Sequence, residues 1–279
     1  MQSNKSQRVQ LAMWALVLGA ACSATCGCAP NQNQEVVTKP ASDVVSSSRP
    51  GTTAPTGVSP TPNTAQVSTD AGTTLLSRIV VNPPEFKHPA VSAASIQAVK
   101  NAISALPEPL RTKLDQSKAR VIISPNMIDR WPDSVKDLPE TDPAPTLAEQ
   151  PGRIYDLDMC VYERPKKRGT TDLGPARAPE YIQLQVGDMC FQVLDDMMTL
   201  SKDPALRQEW NEDKKNIRPA DQPKVANFMK LDDWGPRETC AEMFGSMMGG
   251  RNENTDNLYK YFPRVKKWLI AKLGIKGQS

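Results

Sequence analysis

Apolar residues recur at helical spacing from Ser92 to Leu106, where Ala93, Ile96, Val99, Ile103 and Leu106 share one face and Ser92 or Ser95 can cap the start. Pro107 and Pro109 interrupt that pattern, and Leu110 to Leu114 reads as a short helix. Ala119 to Ile123 is a short β-branched strand. The proline-rich stretch from Pro125 to Gly152 reads as loop, and Arg153 to Glu163 as a pair of strands carrying Tyr155, Leu157, Met159, Val161 and Tyr162. Helices are predicted over roughly 180–198 and, from a Ser201 N-cap, over a segment with Ala205, Leu206 and Trp210 facing inward. Two more are predicted at about 236–248 and from Leu258 to Leu273, with Pro263 near the start of the last. These elements predict an α+β domain over 75–279, mostly helical with a small mixed β-sheet, and long enough to bury a core of its own.

The chain before this domain has a different pattern. Residues 1–28 read as an export signal: Lys5 and Arg8 form a charged start, and Leu11 to Ala21 is an apolar run too short to span a membrane. Cys22, Cys26 and Cys28 close it. A lipoprotein signal ends on an acylated cysteine. Cys28 is the expected attachment point, because the chain turns polar directly after it, with Cys22 as the alternative. Residues 29–74 are rich in Pro, Ser, Thr and Gln, a composition that buries too little apolar surface to offset the entropy of ordering it. They read as a disordered tether between an anchor and the domain. The expected location is therefore exported, either as a membrane-anchored lipoprotein or free in the periplasm or outside the cell.

Charge and histidine content narrow the chemistry. The net charge is +3, to which Lys5 and Arg8 contribute two, so the remainder is nearly neutral and nucleic acid is not an expected partner. The densest basic run, Arg164 to Arg168, reads as a solvated loop. His88 is the one histidine in the sequence, so a site with two imidazole ligands cannot be built within one chain. It reads as a surface residue ahead of the first helix.

Two helices carry the candidate chemistry. On the first, Asp188, Gln192 and Asp195 form a polar stripe on an otherwise apolar segment, and on the second Glu238 and Glu242 lie four residues apart. If the helices face each other, the stripes are expected to satisfy each other's hydrogen-bonding groups, which needs no ligand.

The order of these features resembles the catalytic domain of the anthrax lethal-factor type of zinc metallopeptidases. Asp188-Met189-Cys190-Phe191-Gln192-Val193-Leu194-Asp195 stands where that family has a His-Glu-x-x-His-Ala-x-Asp helix. Leu200-Ser201-Lys202-Asp203, Glu238-Thr239-Cys240-Ala241-Glu242-Met243-Phe244 and Tyr261-Phe262-Pro263 are similar to the later segments of that domain. The resemblance covers roughly 80–275 and implies a zincin-like fold. It also implies that Asp188 and Gln192 occupy the histidine ligand positions, Met189 that of the general base, Glu238 that of the glutamate ligand and Glu242 that of an outer carboxylate. Zinc is the family's cofactor, but its ligands are missing here, and Met189 cannot accept a proton. Oxygen ligands alone would suit Ca²⁺ or Mg²⁺ better than Zn²⁺. No cofactor and no catalytic residue are expected.

Cys160, Cys190 and Cys240 remain after the signal, and export favours disulfides. Cys160–Cys190 and Cys190–Cys240 are the candidate bridges, with three buried thiols as the other outcome. The leading expectation is an exported, lipid-anchored pseudopeptidase that binds a protein or peptide partner. A hydrolase acting through a non-standard carboxylate site and a purely structural envelope module are the rivals.

Overall fold

A computed structural model of the protein describes residues 74–137 and 146–275. The signal, Cys22 and Cys28, and all of the tether but Thr74 lie outside the described residues. Four strands form one sheet: β1 (Ile79–Val81), β2 (Arg120–Ser124), β3 (Gly152–Tyr155) and β4 (Asp158–Tyr162), in the order β1-β2-β4-β3. The first three of that order run parallel, with Val80 opposite Ile122 and Ile122 opposite Cys160. β3 returns antiparallel on the outer side of β4, with Arg153 opposite Cys160 and Tyr155 opposite Asp158. The hairpin between them is tight, and Asp156 turns it with a φ of 55°. The fold is mixed α+β, as the periodicity predicts.

Eight helices are described: α1 (Ala93–Ala105), α2 (Glu108–Ser117), α3 (Met127–Arg130), α4 (Pro179–Met198), α5 (Pro204–Lys215), α6 (Trp234–Met247), α7 (Thr255–Tyr261) and α8 (Pro263–Leu273). Ser92 caps α1 by accepting a hydrogen bond from the Ser95 amide. Proline at the first turn starts α2, α4, α5 and α8, where a missing N–H costs nothing.

Alternation along the strands gives the sheet two unlike faces. Val121, Ile123, Met159 and Val161 point to one side and join the main core with α1 and α4. Ile122, Cys160 and Tyr162 point to the other and form a small second core with Met127, Ile128 and Ala148, with Trp131 and Tyr155 packed against it. Helix α4 lies in the middle of the molecule, buried almost continuously from Ile182 to Asp195, between the sheet and α6.

Several local expectations are corrected. Asp203, not Ser201, caps α5, and Ala205 is exposed while Leu206 and Trp210 are buried. The span from Leu258 to Leu273 is two helices, because Phe262 leaves helical geometry (φ −123°, ψ 51°) and Pro263 begins a new first turn. The stretch after Pro125 is not all loop: Asn126 caps the short helix α3 through the Ile128 amide. Arg164 to Arg168 is no solvated run, since Lys166 is buried, Arg164 lies 3.3 Å from Glu163, and Arg168 lies 2.9 Å from Glu149.

Candidate functional site

The polar residues singled out on α4 and α6 do face one another. The two helices cross at glycine on both sides: a Cβ on Gly187 would lie 2.6 Å from the Gly245 Cα, so the backbones touch. That contact sets Asp188, one residue on from Gly187, against the Glu238–Glu242 face of α6.

The stripes do not satisfy each other as expected. Asp188 accepts a hydrogen bond from Gln192 Nε2 at 2.8 Å, a pairing within its own helix. Glu242 accepts from Asn252 Nδ2 at 2.7 Å, beyond the C-terminus of α6. Buried Glu238 is left with Oε1 unpartnered among the described residues. Asp195 lies farther along the α4 stripe and serves the end of its own helix. It accepts from the Ser201 amide at 2.6 Å and the Ser201 hydroxyl at 2.7 Å, and so closes the turn at the end of α4. Sequence reasoning gave no role to Arg237, which stands one residue before Glu238. Its guanidinium donates to Asp196 Oδ1 at 2.7 Å and to the Gln192 carbonyl at 3.2 Å, and lies 3.5 Å from Asp195.

Three carboxyl groups are thus brought together, Asp188 and Glu238 buried and Glu242 half-buried, with little cationic compensation. Burial pushes the Asp188 carboxyl up to about 6, against the opposing pull of Gln192 and Arg237. Burial pushes Glu242 up to about 7, with Asn252 opposing and Asp188 adding to the rise. Glu238 is driven well above the carboxylate range by burial and then by its two acidic neighbours. All three carboxyls are thus shifted toward the protonated form, Glu238 furthest.

The residues present do not fit zinc. Among the described residues no three His, Cys, Asp or Glu side chains are placed to hold a metal ion. Asp188 is engaged by Gln192, and Gln192 offers its N–H groups to the carboxylate. Met189 sits in the main core under the sheet: a Cβ on Gly152 of β3 would lie 3.4 Å from its methyl carbon. A proton acceptor in that position would be enclosed by apolar groups.

His88 is not a surface residue. Its ring is almost wholly covered, with Nδ1 2.8 Å from Asp129 Oδ1 and Nε2 2.7 Å from the Thr171 carbonyl oxygen. Nε2 faces an acceptor and therefore donates. Asp129 also accepts from the Glu85 amide at 2.6 Å. Both ring nitrogens are occupied, so the imidazole serves no nucleophile, and it fastens the segment before α1 to α3 and to the loop before α4.

All three domain cysteines are free and buried, so neither candidate bridge forms. Cys160 and Cys190 lie on opposite sides of β4: Cys160 belongs to the second core, while Cys190 packs on Met159 in the main one, with its Sγ 3.8 Å from the Met159 sulfur. Burial pushes the thiols of Cys160 and Cys190 up to about 12, and that of Cys240 well above its ordinary value, which leaves all three protonated and poorly nucleophilic.

No protein-family model matches the chain, and no curated protein matches it either.

Proposed function

We propose that the chain is an exported, lipid-anchored pseudopeptidase: a zincin-like domain that binds an extended peptide or protein segment and does not cut it. The observation that carries this reading is the state of the α4–α6 crossing. The glycine contact and the facing carboxylates are kept, while the position expected for the general base is a core methionine and the position expected for a ligand is an amide paired to its neighbour. A four-stranded mixed sheet with an antiparallel strand at its edge, packed on α4, supports the zincin-like reading. The edge strand β3 packs on α4 at Gln185 and Met189, and its outer side is the one an extended peptide would pair with in this reading. No described helix is long and apolar enough to cross a membrane. Attachment is assigned to an acyl chain on Cys28, with Cys22 as the alternative.

Peptide display against the full chain tests the binding claim. Extended sequences are expected to be enriched, and their binding is expected to slow amide exchange at residues 152–155. Chelator-sensitive cleavage of any peptide, or no enrichment at all, would overturn it. Radioactive fatty-acid labelling is expected to mark the wild type and to fail in Cys28→Ala.

The raised carboxyls favour one second reading, a hydrolase that works by proton transfer between Asp188, Glu238 and Glu242. It requires turnover of a peptide or glycan that is lost in Glu238→Gln.

A further inference from the structure

The sheet face turned away from α4 carries three guanidinium groups and one carboxylate. Arg120 and Arg130 are both engaged by Asp158: Arg120 Nε lies 2.7 Å from Oδ1, and Arg130 donates from Nη2 to Oδ2 at 3.0 Å and from Nη1 to the Cys160 sulfur at 2.9 Å. Arg153 points to the same face, opposite Cys160 in the β3–β4 register. It makes no ion pair and no hydrogen bond among the described residues. Its contact is with the ring of Tyr155, whose centroid lies 5.5 Å from the guanidinium carbon. Tyr155 is steadied in turn by Trp131, edge-on at 4.7 Å, and Trp131 by Arg130 at 4.5 Å. A half-buried Arg153 is thereby held on an aromatic shelf with no carboxylate paired to it among the described residues.

This shelf belongs to an edge strand. β3 ends the sheet, so alternate N–H and C=O groups along it have no ladder partner. A peptide that pairs with such an edge gains backbone hydrogen bonds, and every second side chain falls on the face shared by Arg153 and Tyr155. Directly opposed side chains across such a pair sit about 5 Å apart at Cβ. The other edge, β1, offers only Ile79, Val80 and Val81, with no charge to select a partner.

From this geometry we infer that β3 is the docking edge and that Arg153 selects a peptide strand with an acidic side chain facing it. The inference rests on the peptide-binding reading and adds the partner's chemistry to it. Recognition is by strand pairing for affinity and by one guanidinium–carboxylate contact for choice.

The test is fluorescence anisotropy on the full chain with two dye-labelled seven-residue probes, one alternating valine with glutamate and the other valine with lysine. The glutamate probe is expected to bind at least about tenfold more tightly than the lysine probe, as one close charge pair provides. Arg153→Glu is expected to reverse that order, and Arg153→Lys to keep it with a smaller ratio, because an ammonium cannot pair in bidentate fashion. Arg153 has no buried partner to lose, so circular dichroism of both variants should match the wild type. Equal binding of the two probes, or an order unchanged in Arg153→Glu, overturns the role of Arg153 and leaves peptide binding standing. Binding of neither probe overturns both.

Discussion

The α4–α6 crossing and the outer face of the sheet have opposite charge problems and solve them in different ways. At the crossing, three carboxyls face one another with Arg237 to one side, two of them buried and Glu242 half-buried. Taking up protons is the available remedy. On the sheet, Arg120, Arg130 and Arg153 share a face with the carboxylate of Asp158; Arg120 is half exposed, and among the described residues no second carboxylate there offsets the excess charge. An uncompensated charge in an interior tunes stability, whereas one on a reachable edge selects partners.

The largest effect should come from the glycine contact. Gly187→Leu forces a side chain onto the Gly245 backbone, which cannot yield as a side chain would, and is expected to cost at least about 3 kcal/mol in urea denaturation. Titration probes the same crossing without disturbing its packing. The buried carboxyls hold their protons at higher pH folded than unfolded. The stability they contribute is therefore complete below about pH 4 and is lost as pH rises through about 6 for Asp188 and about 7 for Glu242. For Asp188 alone, the move from 3.8 to about 6 corresponds to about 3 kcal/mol. Denaturation midpoints should fall between pH 4 and pH 8, and Glu238→Gln should flatten that slope. His88→Ala probes a third region, where one imidazole bridges a carboxylate and a backbone carbonyl. It leaves Asp129 and the Thr171 carbonyl short of a donor and is expected to cost about 2 kcal/mol, with no change in the pH slope set by α4 and α6. The smallest effect should be that of Arg120→Ala on the sheet, under about 1 kcal/mol, because Arg120 is half exposed and Arg130 remains on Asp158.

Much of the fold was legible because the long helices carry strong periodicity. Ser92 and the alternation from Tyr155 to Tyr162 announce α1 and the β3–β4 hairpin. β1 escaped notice because three residues, Ile79 to Val81, are too few to show a period. Pro263 misled because proline is as much at home in the first turn of a helix as in a break, and only the non-helical backbone of Phe262 tells the two apart. The facing of α4 and α6 was readable from the four-residue spacing of their polar groups. Which atom each group would engage was not, since Gln192 and Asn252 reach their carboxylates through rotamers that spacing does not specify. His88 was misplaced because its two partners lie 41 and 83 residues away along the chain. The arginine shelf was invisible because Trp131 comes to Tyr155, the ring beside Arg153, from 24 residues away along the chain.

That distant pairing of His88 has a practical side. A polypeptide with one imidazole gives one pair of ring carbon–proton resonances, free of overlap and assigned without mutagenesis. Since that ring joins its own segment to Asp129 of α3 and to the Thr171 carbonyl, its signal would report, in the intact molecule and in real time, when the last of these comes into place.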